Sequence, residues 1–429
     1  MRTIKLDEAS KQELLVKLLK RSPSQYTEYE QKVAEIVDAV KEGKDKALFE
    51  FTKKFDKCEL DASNVEVTEE EFKEAYASID PQLLATIRRS AENIRRFHEK
   101  QLTRSWFDTQ ENGSFLGQKI TPIEKVGVYV PGGSAALASS VLMNIIPAKT
   151  AGVSKIIMCT PPMSNGKVYN ATLVAAREAG ADRVFKAGGA QAIAALAYGT
   201  ESIPKVDKIV GPGNIYVALA KKKVYGNVGI DSIAGPSEIL VLADETADPR
   251  YVAADLLSQA EHDALASAIL ITTSSELAAR VDTEVKAFTE KLERKDIIEK
   301  SLENYGFILI ADNMDEAVDA VNEIASEHLE VLTKDPFLTL SKIRNAGAIF
   351  LGQYSSEPLG DYFAGPNHIL PTNGTARFFS PLSVDDFLKK SSVIYYSREA
   401  LEAVHEDIER FAKAEGLTAH ANSVAVRFE

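Results

Sequence analysis

From Lys125 onward the chain alternates short apolar runs with alanine-rich helical stretches, and this alternation restricts the fold more than any other feature. The runs fall at 126–130, 155–159, 183–186 and 206–210, and again at 239–243, 267–272, 307–311 and 348–351. Short, continuous β-rich runs suit strands buried on both faces, and helix-length spacers between them are the mark of parallel βαβ units. At 429 residues the chain also exceeds one ordinary core. The reading is therefore α/β: two Rossmann-like α/β modules with parallel sheets, plus small helical N- and C-terminal appendages. The expected boundaries are a helical appendage over 1–25, a discontinuous α/β module over 26–129 and 237–381, an α/β module over 130–236 and a helical tail over 382–429. No internal repeat is clear enough to establish a duplication.

The first 125 residues carry no distinctive motif. Leu14, Leu15, Leu18 and Leu19 give helical periodicity over 7–20, broken by Ser22-Pro23-Ser24. A second helix is expected over 26–41, ending near Gly43, and a helical region over 44–101 is interrupted by the polar segment 56–68. His98, among Arg95, Arg96, Glu99 and Lys100, reads as part of a solvated helix face with no role.

Composition excludes several classes. Apolar residues at 45% and charged residues at 26% describe an ordinary globular protein. A net charge of −13 with no basic stripe argues against nucleic-acid or anionic-membrane binding. No run approaches a membrane span and the N-terminus has no apolar signal core, so the cytoplasm is the default location. Cys58 and Cys159 are the only two cysteines, too few for a disulfide framework or a thiolate zinc site. Cys159 closes a Lys-Ile-Ile-Met-Cys run and reads as a buried, inert thiol.

The richest stretch runs from Ile230 to His262, IDSIAGPSEILVLADETADPRYVAADLLSQAEH. A turn, Ala234-Gly-Pro-Ser-Glu238, leads into the apolar run 239–243. Asp248-Pro249 is then an N-cap acceptor followed by proline at the first helical position. Gln259 and His262, three apart near the helix end, would stack with Cβ atoms about 5–6 Å apart, close enough to share a ligand or a metal ion. Surface pairs at this spacing are common too, and glutamine is a poor zinc ligand by general rules.

This stretch resembles the signature of the histidinol dehydrogenase family, long and gapless and including the unusual glutamine. The resemblance extends in order from about Val126 to Arg427. The glycine-rich turns Pro131-Gly132-Gly133, Ala187-Gly188-Gly189 and Gly211-Pro212-Gly213-Asn214 follow strands but include no G-x-G-x-x-G, so from the residues alone they are equally compatible with plain αL turns. Within the family, Tyr129, Gln191 and Asn214 match positions that contact NAD. One departure is that Ala138 stands where the family usually has proline before Ser139-Ser140.

Asn313-Met-Asp-Glu316 is a capping box opening a helix with Ala317, Val321 and Ile324 inward. That helix runs into Ser326-Glu327-His328-Leu329-Glu330. Adjacent side chains diverge on a regular element, so Glu327 and His328 can serve one site only at an element end; otherwise they are a solvated pair. The resemblance makes them the acid–base residues. It also implies metal ligation by Gln259, His262, Asp361 and His420, and substrate contacts from Ser237, His368 and Glu415 together with Gln259, His262, His328, Asp361 and His420. His405, amid Glu402, Glu406 and Asp407, is a helix-surface residue.

The implied activity is oxidation of histidinol through an aldehyde to histidine with two NAD. The implied metal is one Zn²⁺ per subunit, although two nitrogen and two oxygen ligands also suit cobalt or manganese. The family also implies a homodimer in which His420 and Glu415 complete the neighbour's site. Two other readings stay open: a related dehydrogenase acting on another small diol or amino alcohol, and a metal-dependent hydrolase or noncatalytic binding protein. The latter would not explain the glycine turns.

Overall fold

The computed structural model describes residues 1–19, 21, 27–132 and 136–429. The chain divides into two compact units, one joining Met1–Gln101 to Ile123–Phe387 and the other joining Leu102–Pro122 to Leu388–Glu429. Strand β1 (Arg2–Lys5) begins the chain, and β2 (Trp106–Thr109) and β3 (Phe115–Pro122) follow the N-terminal helices. Then come β4 (Lys125–Tyr129), β5 (Lys155–Thr160), β6 (Arg183–Lys186), β7 (Lys208–Val210) and β8 (Gly229–Ile230). A second series is β9 (Glu238–Ala243), β10 (Ser267–Thr272), β11 (Gly306–Ile310), β12 (His328–Leu332) and β13 (Ala348–Leu351), and β14 (Leu388–Tyr395) is last.

The first unit holds two parallel sheets, ordered β6-β5-β4-β7-β8 and β1-β11-β10-β9-β12-β13. β1 aside, the order is the same in both. Each series starts at an inner strand, adds two on one side, then returns to add two on the other. The duplication that sequence comparison does not reveal is thus visible in topology, and the fold is α/β with Rossmann-like parallel sheets. Central strands such as β9 and β10 are buried at every position, as their unbroken apolar runs require.

Local signals set the helices that carry the site. Asp248 accepts a hydrogen bond from the Arg250 N–H (2.8 Å) and Pro249 opens the helix Pro249–Ala260. Its Val252, Leu256 and Leu257 are buried, each side chain contributing roughly 1.5–3 kcal/mol. Asn313 accepts from the Glu316 N–H (2.9 Å) at the start of Met314–Ile324, while the Glu316 carboxylate returns to the Asp312 N–H (2.9 Å). Ala325 then takes a left-handed conformation (φ 51°, ψ 55°), ending the helix two residues before Glu327. Ala138 is the first residue of Ala138–Ala151, a position that proline or alanine can fill, so the departure from the family pattern is conformationally neutral.

Three features differ from the sequence reading. The helix Thr27–Asp56 runs past Gly43, kinking at Lys44 (φ 51°), and its Val33, Val37, Val40 and Leu48 pack with Ile193 and Leu196. The early helices therefore cover the five-stranded sheet, which also takes β4; an apolar stripe does not reveal which sheet it will cover. Next, the N-terminal segment includes a strand, β1, and Leu14 and Leu18 of the helix behind it pack against Leu240, Leu242 and Leu309. Finally, 388–395 is a strand, not helix: β14 pairs antiparallel with β3, and β3 with β2, giving the second unit a small sheet beside the helices Arg398–Glu402, His405–Ala414 and Thr418–Ala425. The expected break at Ser22-Pro23-Ser24 and the expected helix start at Tyr26 lie outside the described residues.

Candidate active site

β9 and β12 are neighbours, with His328 opposite Ile239, so the residues that open the two strands lie side by side. The backbone of Glu238 holds both acid–base candidates. Its N–H donates to Glu327 Oε2 (2.9 Å), and its carbonyl accepts from His328 Nδ1 (2.9 Å). A carbonyl can only accept, so Nδ1 carries the proton and Nε2 keeps its lone pair. That Nε2 is buried without a hydrogen-bond partner among the described residues. Burial lowers the His328 pKa to about 4, which keeps the ring neutral. Burial, and then the charge of Glu238, push the Glu327 carboxyl well above the usual range. Glu327 precedes the strand and His328 is its first residue, so the turn at Ala325 lets adjacent side chains share one site.

The side chain of Glu238 is itself anchored. Arg21, fully buried, donates to Glu238 Oε1 (2.5 Å) and to the Leu265 carbonyl (2.7 Å). Sequence reasoning missed Arg21, which lies within a segment read only as an appendage.

A cavity of about 620 Å³ opens onto this pair. Ser237, Gln259, His262, Glu327, His328, Asp361, His368 and Asn214 all line it. Gln259 sits buried in the last turn of its helix with Oε1 unpartnered among the described residues. His262 is exposed in the turn beyond the helix, its N–H donating to the Gln259 carbonyl (3.2 Å). The helix ends at Ala260, so the pair straddles the helix end and the turn that follows.

Asp361 lies in the irregular turn Gly360–Ala364, and His368 Nδ1 donates to the Asp361 carbonyl (3.1 Å) while its Nε2 is 3.3 Å from Ser140 Oγ. Asn367 beside it donates to the Met143 carbonyl (2.7 Å) and to His98 Nε2 (3.3 Å). His98 is buried, its Nδ1 donating to the Ile94 carbonyl (2.8 Å), so the solvated reading of this residue is corrected. Its charged neighbours in sequence are less buried, while the imidazole shares the inner face with Ile87, Ser90, Ala91 and Ile94.

The residues suit a divalent cation. Gln259 Oε1 is a buried oxygen left without a donor, and His262 and Asp361 line the same space. Single donor atoms of His328, Glu357 and Asp361 also lie within 4.8 Å of one another. Asp361 is common to this grouping and to the expected ligand set. Glu357 was missed, although it stands four residues before Asp361 on a helical turn. Burial, then the charge of Asp361, raise its carboxyl to about 8; Ser258 Oγ donates to it (3.1 Å), and its own N–H donates to the buried Glu330 (2.8 Å). Burial opposes ionisation of Asp361 too, yet the hydrogen bond and charge of His368 hold its carboxyl below the usual range.

A second cavity, about 730 Å³, is lined by Tyr129, Gln191 and Asn214. It opens beyond the carboxyl ends of the five-stranded sheet, near β4 and β7, where the strand order reverses and α/β sheets commonly bind ligands. Tyr129 Oη accepts from the Gly189 N–H (3.0 Å), and Asn214 caps Ile215–Val224 by accepting from the Tyr216 N–H (3.1 Å). Gly211 (φ 118°) lies against the Tyr129 carbonyl, where a Cβ would overlap it. Asn214 lines both cavities. Gly133 lies outside the described residues. Cys159 is fully buried and burial raises its thiol, as expected of an inert cysteine. Glu415 and His420 belong to the second unit, where both are exposed.

Paired parallel sheets, a switch-point cavity and an adjoining acid–base pair beside metal-capable side chains define an α/β enzyme of the dehydrogenase class. The chain belongs to the histidinol dehydrogenase family, whose model matches residues 19–428. It is 58% identical over 394 residues to the histidinol dehydrogenase of Clostridium acetobutylicum, covering 92% of this chain and 91% of that one. With the Bacillus subtilis histidinol dehydrogenase it shares 57% identity over 410 residues, 95% of this chain and 96% of the other. The crystal structure of histidinol dehydrogenase from Elizabethkingia anophelis superimposes with a TM-score of 0.94 at 39% identity, covering 100% of this chain and 98% of that one. The chain is accordingly an oxidoreductase of histidine biosynthesis.

Proposed function

We propose that the chain oxidises L-histidinol to L-histidine in two successive two-electron steps at one site, consuming one water and two NAD. The observation that carries this reading is the grip of the Glu238 backbone on both Glu327 and His328, which leaves His328 Nε2 without a partner among the described residues. In the first oxidation Nε2 takes the hydroxyl proton as the alcohol becomes an aldehyde. In the second, Glu327 takes a proton from water as it adds to the aldehyde; its raised pKa makes it a stronger base once ionised. NAD, taken twice in turn at the cavity of Tyr129, Gln191 and Asn214, accepts the two hydrides. Ser237, His368 and Glu415 are the further substrate contacts.

A zinc ion held by Gln259, His262, Asp361 and His420 would anchor the substrate's imidazole and amino nitrogens, so its contribution is chiefly positional. The assembly we infer is a homodimer with shared sites. The second unit supports it by exposing Trp106, Phe107, Ile394 and Phe411 along with Glu415 and His420. A net charge of −13 fits no nucleic-acid partner. Among the described residues no helix is long and apolar enough to cross a membrane. A cytoplasmic location remains part of the proposal.

Single-turnover assays of metal-loaded variants test the division of roles. His328→Asn should be slowed about 100-fold or more from histidinol. Glu327→Gln should be slowed chiefly when started from the aldehyde. Equal losses on both substrates in both variants would refute the assignment.

A further inference from the structure

Asp56 is the last residue of the helix Thr27–Asp56 and lines the cavity that also holds Tyr129, Gln191 and Asn214. Its placement is electrostatically poor. A carboxylate at a helix C-terminus faces the negative end of the dipole. Its Oδ2 is buried without a hydrogen-bond partner among the described residues. Burial raises its carboxyl to about 6, and among the described residues no cation or hydrogen-bond donor offsets the effect. A structural carboxylate would have a partner; this one adds a cost that packing does not explain.

Its surroundings indicate what it faces. Oδ1 sits 3.3 Å from where a Cβ on Gly188 would lie, so it borders the glycine turn after β6. Among the described lining residues there is no Lys, Arg or His. Nothing in that lining would neutralise an additional phosphate on the ribose. Rossmann-type pockets commonly place an acid against the adenosine ribose for NAD, and an arginine where a 2′-phosphate is accepted. Here the usual glycine fingerprint is absent, and the acid comes from a helix preceding the sheet.

We infer that Asp56 selects the cofactor: its carboxylate accepts hydrogen bonds from the adenosine ribose hydroxyls of NAD and repels the 2′-phosphate of NADP. The inference rests on the reading that this cavity takes the dinucleotide. It also gives the N-terminal helical region a role beyond packing.

The test is calorimetric titration of NAD and NADP into the zinc-loaded enzyme without alcohol, for wild type, Asp56→Asn, Asp56→Ser and Ser164→Trp. Ser164 is exposed on the cavity wall, so its replacement blocks the cavity without touching Asp56. Wild type should prefer NAD. Both Asp56 variants should narrow that preference about tenfold or more, with melting temperatures no lower than wild type. The inference is overturned if wild type binds both nucleotides equally. It is also overturned if the Asp56 variants keep the wild-type preference while Ser164→Trp loses NAD, or if they lose stability and both nucleotides together. Undiminished NAD binding by Ser164→Trp would remove the cavity reading itself, and this inference with it.

Discussion

The backbone of one residue, Glu238, fixes the hydrogen-bonding state of the two side chains proposed to move protons, while the Glu238 carboxylate is held by Arg21. Roles at this scale separate by metal content. His262→Ala should lose most bound zinc on dialysis, as measured by atomic absorption, because it removes a proposed nitrogen ligand. Glu327→Gln should retain zinc, since its carboxylate is engaged by a backbone N–H instead. Equal zinc loss in both would show that Glu327 is a ligand. Glu327 and His328 were legible because an unusual Glu-His step fell at a helix-to-strand junction. Arg21 was not, because its partner Glu238 is 217 residues away and a lone arginine carries no spacing signal. His98 was misread because its four charged neighbours dominate the local sequence while its own side chain points inward.

At the scale of elements, the turn after β7 shows how a buried ion pair shapes a loop that lines both cavities. Lys221 and Asp231 form a buried salt bridge; Lys221 Nζ also donates to the Gly211 carbonyl (2.9 Å), and Asp231 Oδ2 accepts from the Gly211 N–H (2.8 Å). Both polar groups of one glycine are thereby satisfied beside Asn214. Lys221→Met would strand a buried carboxylate and should cost about 3–5 kcal/mol in chemical denaturation. Lys221→Met with Asp231→Leu should recover only part of that stability and none of the NAD affinity, because the buried N–H and carbonyl of Gly211 both lose their partners. Full recovery of both would mean that the clamp does not position the turn. Strands of the parallel sheets were legible because burial on both faces demands continuous apolar runs. β1, β8 and β14 were not: the first two are four and two residues long, and the third has the polar core Lys389-Lys390-Ser391-Ser392. The sheet covered by the helix Thr27–Asp56 was equally hidden, since periodicity identifies an apolar stripe but not its partner.

For the whole molecule, two sheets whose strand order matches apart from β1 divide the work between the proposed cofactor cavity and the proposed metal and acid–base groups. The shared-site proposal is tested by unfolding His262→Ala and His420→Ala, mixing them equally and reassembling them. If His420 completes a neighbour's site, each heterodimer has one intact site, and about a quarter of wild-type activity returns with random pairing. A dead mixture containing demonstrated heterodimers would assign each tail to its own subunit. The central claim is that a single site carries out both oxidations. Its most direct measurement is the yield of NADH per histidinol consumed to completion, with free aldehyde trapped and quantified. The expected result is two NADH per histidinol and no aldehyde in solution; one NADH per histidinol with stoichiometric aldehyde release would contradict it.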